Sequence, residues 1–196
     1  MAKRLVDLLV SGVLLLLFAP LLLAVAVWVR LDSPGPALFR QQRVGRGGRP
    51  FSIHKFRTMR VDAGGLGLTV GEDARITRAG RWLRRLKLDE LPQLWDVWRG
   101  AMSLVGPRPD LPHYVARYPA ALRELLLSVR PGITDPASLA FRHEAELLAA
   151  AADPEREYLE RILPAKLQLS ADYLRRASLW TDLRLLARTA LLLLGR

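Results

Sequence analysis

From Leu8 to Val29 the chain runs without one charged side chain, with only Ser11, Gly12 and Pro20 interrupting the apolar residues. A stretch of that length matches the hydrocarbon core of a bilayer, so the fold must be built around a membrane segment. Lys3 and Arg4 before it are also what a cleaved signal peptide would carry. The run is long for one, however, no small-residue cleavage site stands at its end, and Trp28 and Arg30 close it like an interfacial anchor. Orientation is the harder question. Lys3 and Arg4 flank one end, and Arg30, Arg40, Arg43, Arg46 and Arg49 follow the other, so the positive-inside rule draws both ends to the cytoplasm. A straight span satisfies only one of them. Pro20, near the middle, lacks a backbone donor and clashes with the preceding turn, which would let the helix fold back toward its own leaflet. Spanning and re-entrant arrangements both remain open on the sequence.

The rest of the chain has to suit that segment. Its 196 residues provide for one compact domain beside the membrane element, with a helical tail. The formal charge of +11 coexists with 51% hydrophobic residues, a pairing that favours anionic lipid or phosphate partners. A nucleic-acid binder of this charge would ordinarily lack the apolar runs, so no nucleic-acid partner is expected. Cysteine is absent, which removes disulfides, thiolate metal sites and a cysteine nucleophile. His54, His113 and His143 have no metal-ligand spacing and are assigned no chemistry.

Beyond the apolar run, Ser33-Pro34-Gly35-Pro36 signals a turn, and Ala37-Leu38-Phe39-Arg40 begins a short strand or interfacial stretch. Val44 to Pro50, rich in glycine, reads as a tight turn leading into the alternating Phe51-Ser52-Ile53-His54-Lys55-Phe56, which together predict a β-hairpin. The second glycine cluster, Gly64-Gly65-Leu66-Gly67, follows no nucleotide-binding pattern and is read as a loop. Ile76 to Leu88 predicts a basic helix carrying Arg78, Arg81, Arg84, Arg85 and Lys87. Asp89 and Glu90 then open a second helix in which Leu91, Leu94, Trp95 and Trp98 share a face. Judged locally, Asp89 is a helix cap; after five cations and beside another acid, it is also a candidate for diphosphate and metal chemistry. Pro107 and Pro109 hold Arg108 in extended backbone, which suits either a structural turn or a phosphate contact.

These motifs, taken in order, resemble the bacterial sugar transferases, the monotopic polyprenyl-phosphate phosphoglycosyl transferases that initiate glycoconjugate and exopolysaccharide synthesis. The likeness is carried by Lys3-Arg4-Leu5-Val6-Asp7, Gly35 to Phe39, Lys55-Phe56-Arg57-Thr58-Met59, Leu88-Asp89-Glu90-Leu91-Pro92-Gln93-Leu94 and Ser103 to Pro109, and it runs on through Arg130 to Thr134. That is roughly two thirds of the chain. The resemblance implies an α+β, mainly helical fold. Residues 1–31 would form a re-entrant membrane helix broken at its proline, 32–143 a catalytic domain with a short β-hairpin on the cytoplasmic face of the inner membrane, and 144–196 a helical region with amphipathic interfacial helices.

It further implies that Asp89 attacks the β-phosphorus of a UDP-sugar and releases UMP. The phosphosugar would then pass from Asp89 to polyprenyl (undecaprenyl) phosphate in a ping-pong reaction. Mg²⁺ would bridge Asp89 and the diphosphate, Glu90 would be the supporting acid or base, and Arg84, Arg108 and Arg142, with Lys55 and Arg57, would bind phosphate or nucleotide or shape the site. Inner-membrane lipids complete the expected partners.

The sequence also departs from the family pattern. Ala19-Pro20 replaces the usual Ser-Pro, Ala101 replaces an acid before Met102, and Asp96 stands where asparagine is frequent. Asp135 to Phe141 replaces the familiar stretch before Arg142, so sugar preference does not transfer. Ala101 also keeps a second reading open, a catalytically silent membrane scaffold that binds polyprenyl phosphate or a partner enzyme. From Glu144 to Arg196, leucine, alanine and arginine at helical spacing fit either core packing or helices lying on the membrane face.

Overall fold

A computed structural model of the protein describes residues 2–61, 70, 71 and 73–194; the glycine cluster at 64–67 lies outside the described residues. The apolar run is a single α-helix, α1 (Ala2–Asp32). The break expected at Pro20 is absent. Pro20 faces outward, and on either side of it Phe18 and Leu22 pack against the body of the protein, which offsets the roughly 3 kcal/mol a proline costs within a helix. Asp7, Ser11, Val25 and Val29 are buried at helical spacing along the inner face. Leu5, Leu9, Val13, Leu16, Leu17, Leu23, Val27 and Leu31 make an exposed, wholly apolar outer face, with Leu16 at 80% exposure.

Both ends of α1 are tied to the body. Arg4 donates to the carbonyls of Val97 (2.6 Å) and Trp98 (2.9 Å), and Asp7 Oδ1 accepts from the Leu104 amide at 3.0 Å. At the far end Asp32 Oδ2 accepts from the Ala79 amide at 2.9 Å. The Arg57 guanidinium donates to the carbonyls of Val29 (3.2 Å), Ser33 (2.7 Å) and Pro34, satisfying acceptors that the last helical turn leaves open.

The predicted hairpin is present as β1 (Leu38–Val44) antiparallel to β2 (Pro50–Phe56), in register from Leu38 opposite Phe56 to Val44 opposite Pro50. Gly47 and Gly48 take positive φ in its turn, as so tight a reversal requires. The predicted basic helix is shorter than expected: α2 spans Arg78–Arg85 and is capped by Thr77 Oγ1, which accepts from the Gly80 amide at 3.0 Å. It ends because Lys87 adopts a left-handed conformation (φ 56°) and turns the chain. A 3₁₀ turn at Leu88–Glu90 leads to α3 (Gln93–Arg99), so the second helix begins later than its acidic pair. Leu94 and Val97 of α3 face the core, whereas Trp95 and Trp98 stack on each other at 5.3 Å and remain about half exposed; of the four residues expected to share a face, Leu91 precedes the helix and Leu94 alone is buried.

After α3 come β3 (Ser103–Val105), α4 (Pro112–Val115), α5 (Ala120–Leu127) and β4 (Gly132–Thr134). β3 and β4 pair in parallel, a sheet not expected from sequence because three residues carry no readable period. Its necessity shows in the glycines: a Cβ on Gly132 would meet the Gly106 nitrogen at 2.1 Å. Gly132→Ala should therefore push the strands apart and cost about 2–4 kcal/mol, read as a fall in denaturation midpoint with the Arg108 loop displaced.

The tail divides between both of its readings. α6 (Pro136–Ala140), α7 (Glu144–Ala149), α8 (Pro154–Glu157) and a π-helical turn (Tyr158–Ile162) precede α9 (Leu163–Arg175). Leu163 and Leu167 of α9 sit in a core with Tyr114, Leu126, Leu148 and Tyr158. α10 (Leu179–Leu194) instead leaves Trp180, Leu183 and Leu191 exposed. It is fastened to the start of α1 by Asp182, which pairs with Lys3 and accepts from the Tyr173 hydroxyl.

Candidate active site

The acidic pair sits at the junction of α2, β2 and the loop after β3. Gly80 lets α2 lie directly on the end of the hairpin: a Cβ there would meet the Thr58 carbonyl oxygen at 2.1 Å. That approach carries Arg84 to Thr58, whose hydroxyl accepts from Arg84 Nε at 3.0 Å. The left-handed turn at Lys87 then brings Asp89 inward, to 8% exposure. Asp89 is not a helix cap. No side chain caps α3, and Asp89 Oδ1 is buried without a hydrogen-bond partner.

Glu90 has the opposite surroundings. Its Oε1 accepts from Lys55 Nζ at 2.8 Å and from Arg108 Nη2, and its Oε2 accepts from Arg108 Nη1 at 3.2 Å. Arg108 is steadied in turn by the Ile133 carbonyl of β4 at 3.3 Å. Two carboxylates adjacent in sequence are thereby driven apart. Burial opposes the charge on Glu90, but Arg108 and Lys55 outweigh it and hold the carboxyl well below its usual range. Burial, and then the Glu90 charge, push Asp89 upward, partly countered by Lys55, Lys87 and Arg84. Burial lowers Lys55, with Glu90 opposing, while Glu90 raises Arg108. One carboxylate is fully engaged, and the other has a buried oxygen without a hydrogen-bond partner.

Of the residues singled out in the sequence, Lys55, Glu90 and Arg108 are brought into one cluster, with Asp89 adjoining Glu90 and Arg84 anchored at Thr58 nearby. Arg57 is not in it: its guanidinium serves the carbonyls at the end of α1. Arg142 is exposed and donates to His143 at 2.9 Å. A further pair went unassigned in the sequence. Fully buried Asp96 accepts from the His54 amide (2.9 Å) and lies 2.7 Å from His54 Nδ1, bracing α3 against β2 one residue from Lys55. The only signal for it was an aspartate, rather than a neutral amide, at Asp96. Among the described residues no group of three or more histidine, cysteine or acidic side chains could hold a metal by itself.

The long, largely exposed apolar helix points to membrane association, and the helical body it packs on holds a buried carboxylate without a hydrogen-bond partner beside a cation-clamped one. The chain matches the bacterial sugar transferase family over residues 1–196, and it belongs to that family. It is 41% identical to a UDP-glucose:undecaprenyl-phosphate glucose-1-phosphate transferase of Xanthomonas campestris over all of this chain and 39% of the relative. A Caulobacter vibrioides protein of the same description is also 41% identical, over 95% of this chain and 67% of the relative. A UDP-N-acetylgalactosamine-undecaprenyl-phosphate N-acetylgalactosaminephosphotransferase of Aeromonas hydrophila is 37% identical over 95% of this chain and 42% of that protein. The chain thus spans well under half the length of two of these relatives.

Proposed function

We propose that the chain transfers a sugar 1-phosphate from a UDP-sugar to undecaprenyl phosphate through a phosphosugar ester on Asp89. The observation that carries this reading is the buried, unpartnered Oδ1 of Asp89 beside the fully engaged Glu90. An Asp89 oxygen forms a bond to the β-phosphorus while the bond from that phosphorus to the UMP oxygen breaks, and UMP departs with the electron pair. A phosphate oxygen of the lipid then attacks the same phosphorus and returns Asp89 as a free carboxylate. Arg108 and Lys55 keep Glu90 ionised and fix its position, while Arg84 faces the incoming diphosphate.

Asp89, whose Oδ1 is buried without a hydrogen-bond partner, is the residue that would hold Mg²⁺ once substrate is bound, since this ion characteristically uses one or two carboxylates together with phosphate oxygens. Bound there, it would offset the diphosphate charge. The relatives act on glucose and N-acetylgalactosamine donors by their descriptions, so the sugar itself is not assigned. Purified protein given UDP-sugar labelled in the sugar and Mg²⁺, without lipid acceptor, should retain label covalently and release UMP. Unlabelled protein would refute the mechanism.

The inner membrane is the proposed location, with the body on the cytoplasmic side and α1 embedded from that side alone. Supporting this, both ends of α1 are bonded to the same body, and Trp82 on α2 and Leu86 just after it are further exposed apolar residues, close in sequence to Arg84 and Lys87. Single cysteines introduced at Ala2 and at Leu31 should both be labelled from the cytoplasmic face; periplasmic labelling of either would overturn one-sided insertion.

A further inference from the structure

A second basic recess lies at the other end of the hairpin. Arg46, Gly47, Arg49, Pro50 and Phe51 from the turn face Gly100, Ala101 and Arg130 around a cleft of about 450 Å³. Its distance from the acidic pair follows from the strand: five residues of extended β2 separate Pro50 from Lys55, roughly 17 Å. No carboxylate lines it. Ala101 supplies a methyl group there. Two of the arginines are held through Nε alone, Arg46 by the Ser128 carbonyl at 3.1 Å and Arg130 by the Gly100 carbonyl at 2.8 Å, and neither bond uses the terminal amino groups. Three arginines line the one cleft, and their guanidinium groups are suited to gripping an anion bidentately.

The wall of the cleft is shared with the membrane element. A Cβ on Gly100 would lie 3.2 Å from Arg4 Nη2, so the first turn of α1 abuts the recess, and exposed Trp98 stands beside it against Gly12 of α1. From these contacts we propose that the recess is a phosphate-binding site, separate from Asp89, which takes the phosphodiester headgroup of an anionic membrane lipid. It rests on the one-sided membrane placement argued above. A headgroup seated here would fix the depth and tilt of the body at the end of α1 farthest from Asp32 and the α2 cap.

The test is native mass spectrometry of the detergent-solubilised full chain offered phosphatidylglycerol, phosphatidylcholine or inorganic phosphate. Phosphatidylglycerol adducts should predominate, and Arg46→Gln with Arg49→Gln should reduce them by about 25-fold, taking roughly fivefold for each basic residue near a lipid surface. Arg49→Gln alone, which touches no packing bond of the turn, should give part of that loss. Arg30→Gln with Arg40→Gln removes the same charge at the opposite end and should leave the preference intact. Equal loss in that control, or equal adducts with the two lipids, would overturn the proposal. Binding of inorganic phosphate without phosphatidylglycerol preference would overturn the lipid assignment in favour of a soluble anion. UMP release by Arg46→Gln with Arg49→Gln should match that of the parent, so failure of the transfer reading would appear in the parent's UMP assay and leave the adduct result standing.

Discussion

Asp89→Asn should abolish both covalent retention of phosphosugar and UMP release, by at least about three orders of magnitude, because an amide oxygen is a poor nucleophile toward phosphorus. The same substitution should leave the protein as stable as before or more so. Burial and the Glu90 charge raise the Asp89 carboxyl above its ordinary 3.8. An acid whose folded value is raised holds its proton more tightly folded than unfolded, so its contribution to stability falls as pH climbs from about the unfolded value through the folded one. Asparagine, uncharged throughout, escapes that loss. Thermal denaturation near neutral pH should therefore show an equal or higher midpoint for the inactive variant. A midpoint lowered by several degrees would mean that Asp89 is a structural residue after all, which is the alternative its sequence position first invites.

Arg108→Met should damage both activity and stability. The substitution leaves Glu90 enclosed with Lys55 as its remaining clamp, at an expected cost of about 2–3 kcal/mol, somewhat under the loss typical of a fully buried pair because Lys55 stays. Turnover should fall by about a hundredfold or more as the arrangement around the diphosphate loosens. The pH dependence gives a separate signature. Glu90 is depressed below its ordinary 4.5, so its contribution is present above about that pH and disappears as pH falls toward the folded value. Without Arg108 the depression shrinks, so the loss of stability on acidification should be smaller and should level off at higher pH than in the parent. Urea titrations across the acid range would measure this. Coincident acid limbs would mean that Arg108 does not hold Glu90 ionised.

The parts of this molecule legible in its sequence are those written in local chemistry. The apolar run announced α1, the glycine turn between alternating strands announced the hairpin, and the motifs quoted from the sequence include Lys55, Glu90 and Arg108, which the fold brings together beside Asp89. What escaped were long-range contacts between groups with no pattern of their own. The β3–β4 pair rests on Gly106 and Gly132, which look like ordinary loop glycines until their strands meet. Arg57 resembles the other cations of its motif, yet the end of α1 takes its guanidinium. Pro20 carries the strongest local signal for a break, but packing on both sides of it keeps α1 continuous. The boundary between α2 and α3 was misplaced because the left-handed conformation of Lys87 is imposed by its surroundings and is not a preference of lysine.

Membrane anchors are often treated as interchangeable modules, exchanged or deleted without consequence for the domain they carry. The side of α1 that meets Val97, Leu104, Phe56 and Leu83 argues against such modularity here. One side of this helix is free to vary among apolar residues of any shape, since lipid is an undemanding neighbour. The other is keyed to particular partners, down to an aspartate that accepts from the Leu104 amide and that a generic hydrophobic replacement would lack. In this fold the anchor and the domain it carries would have to be inherited together.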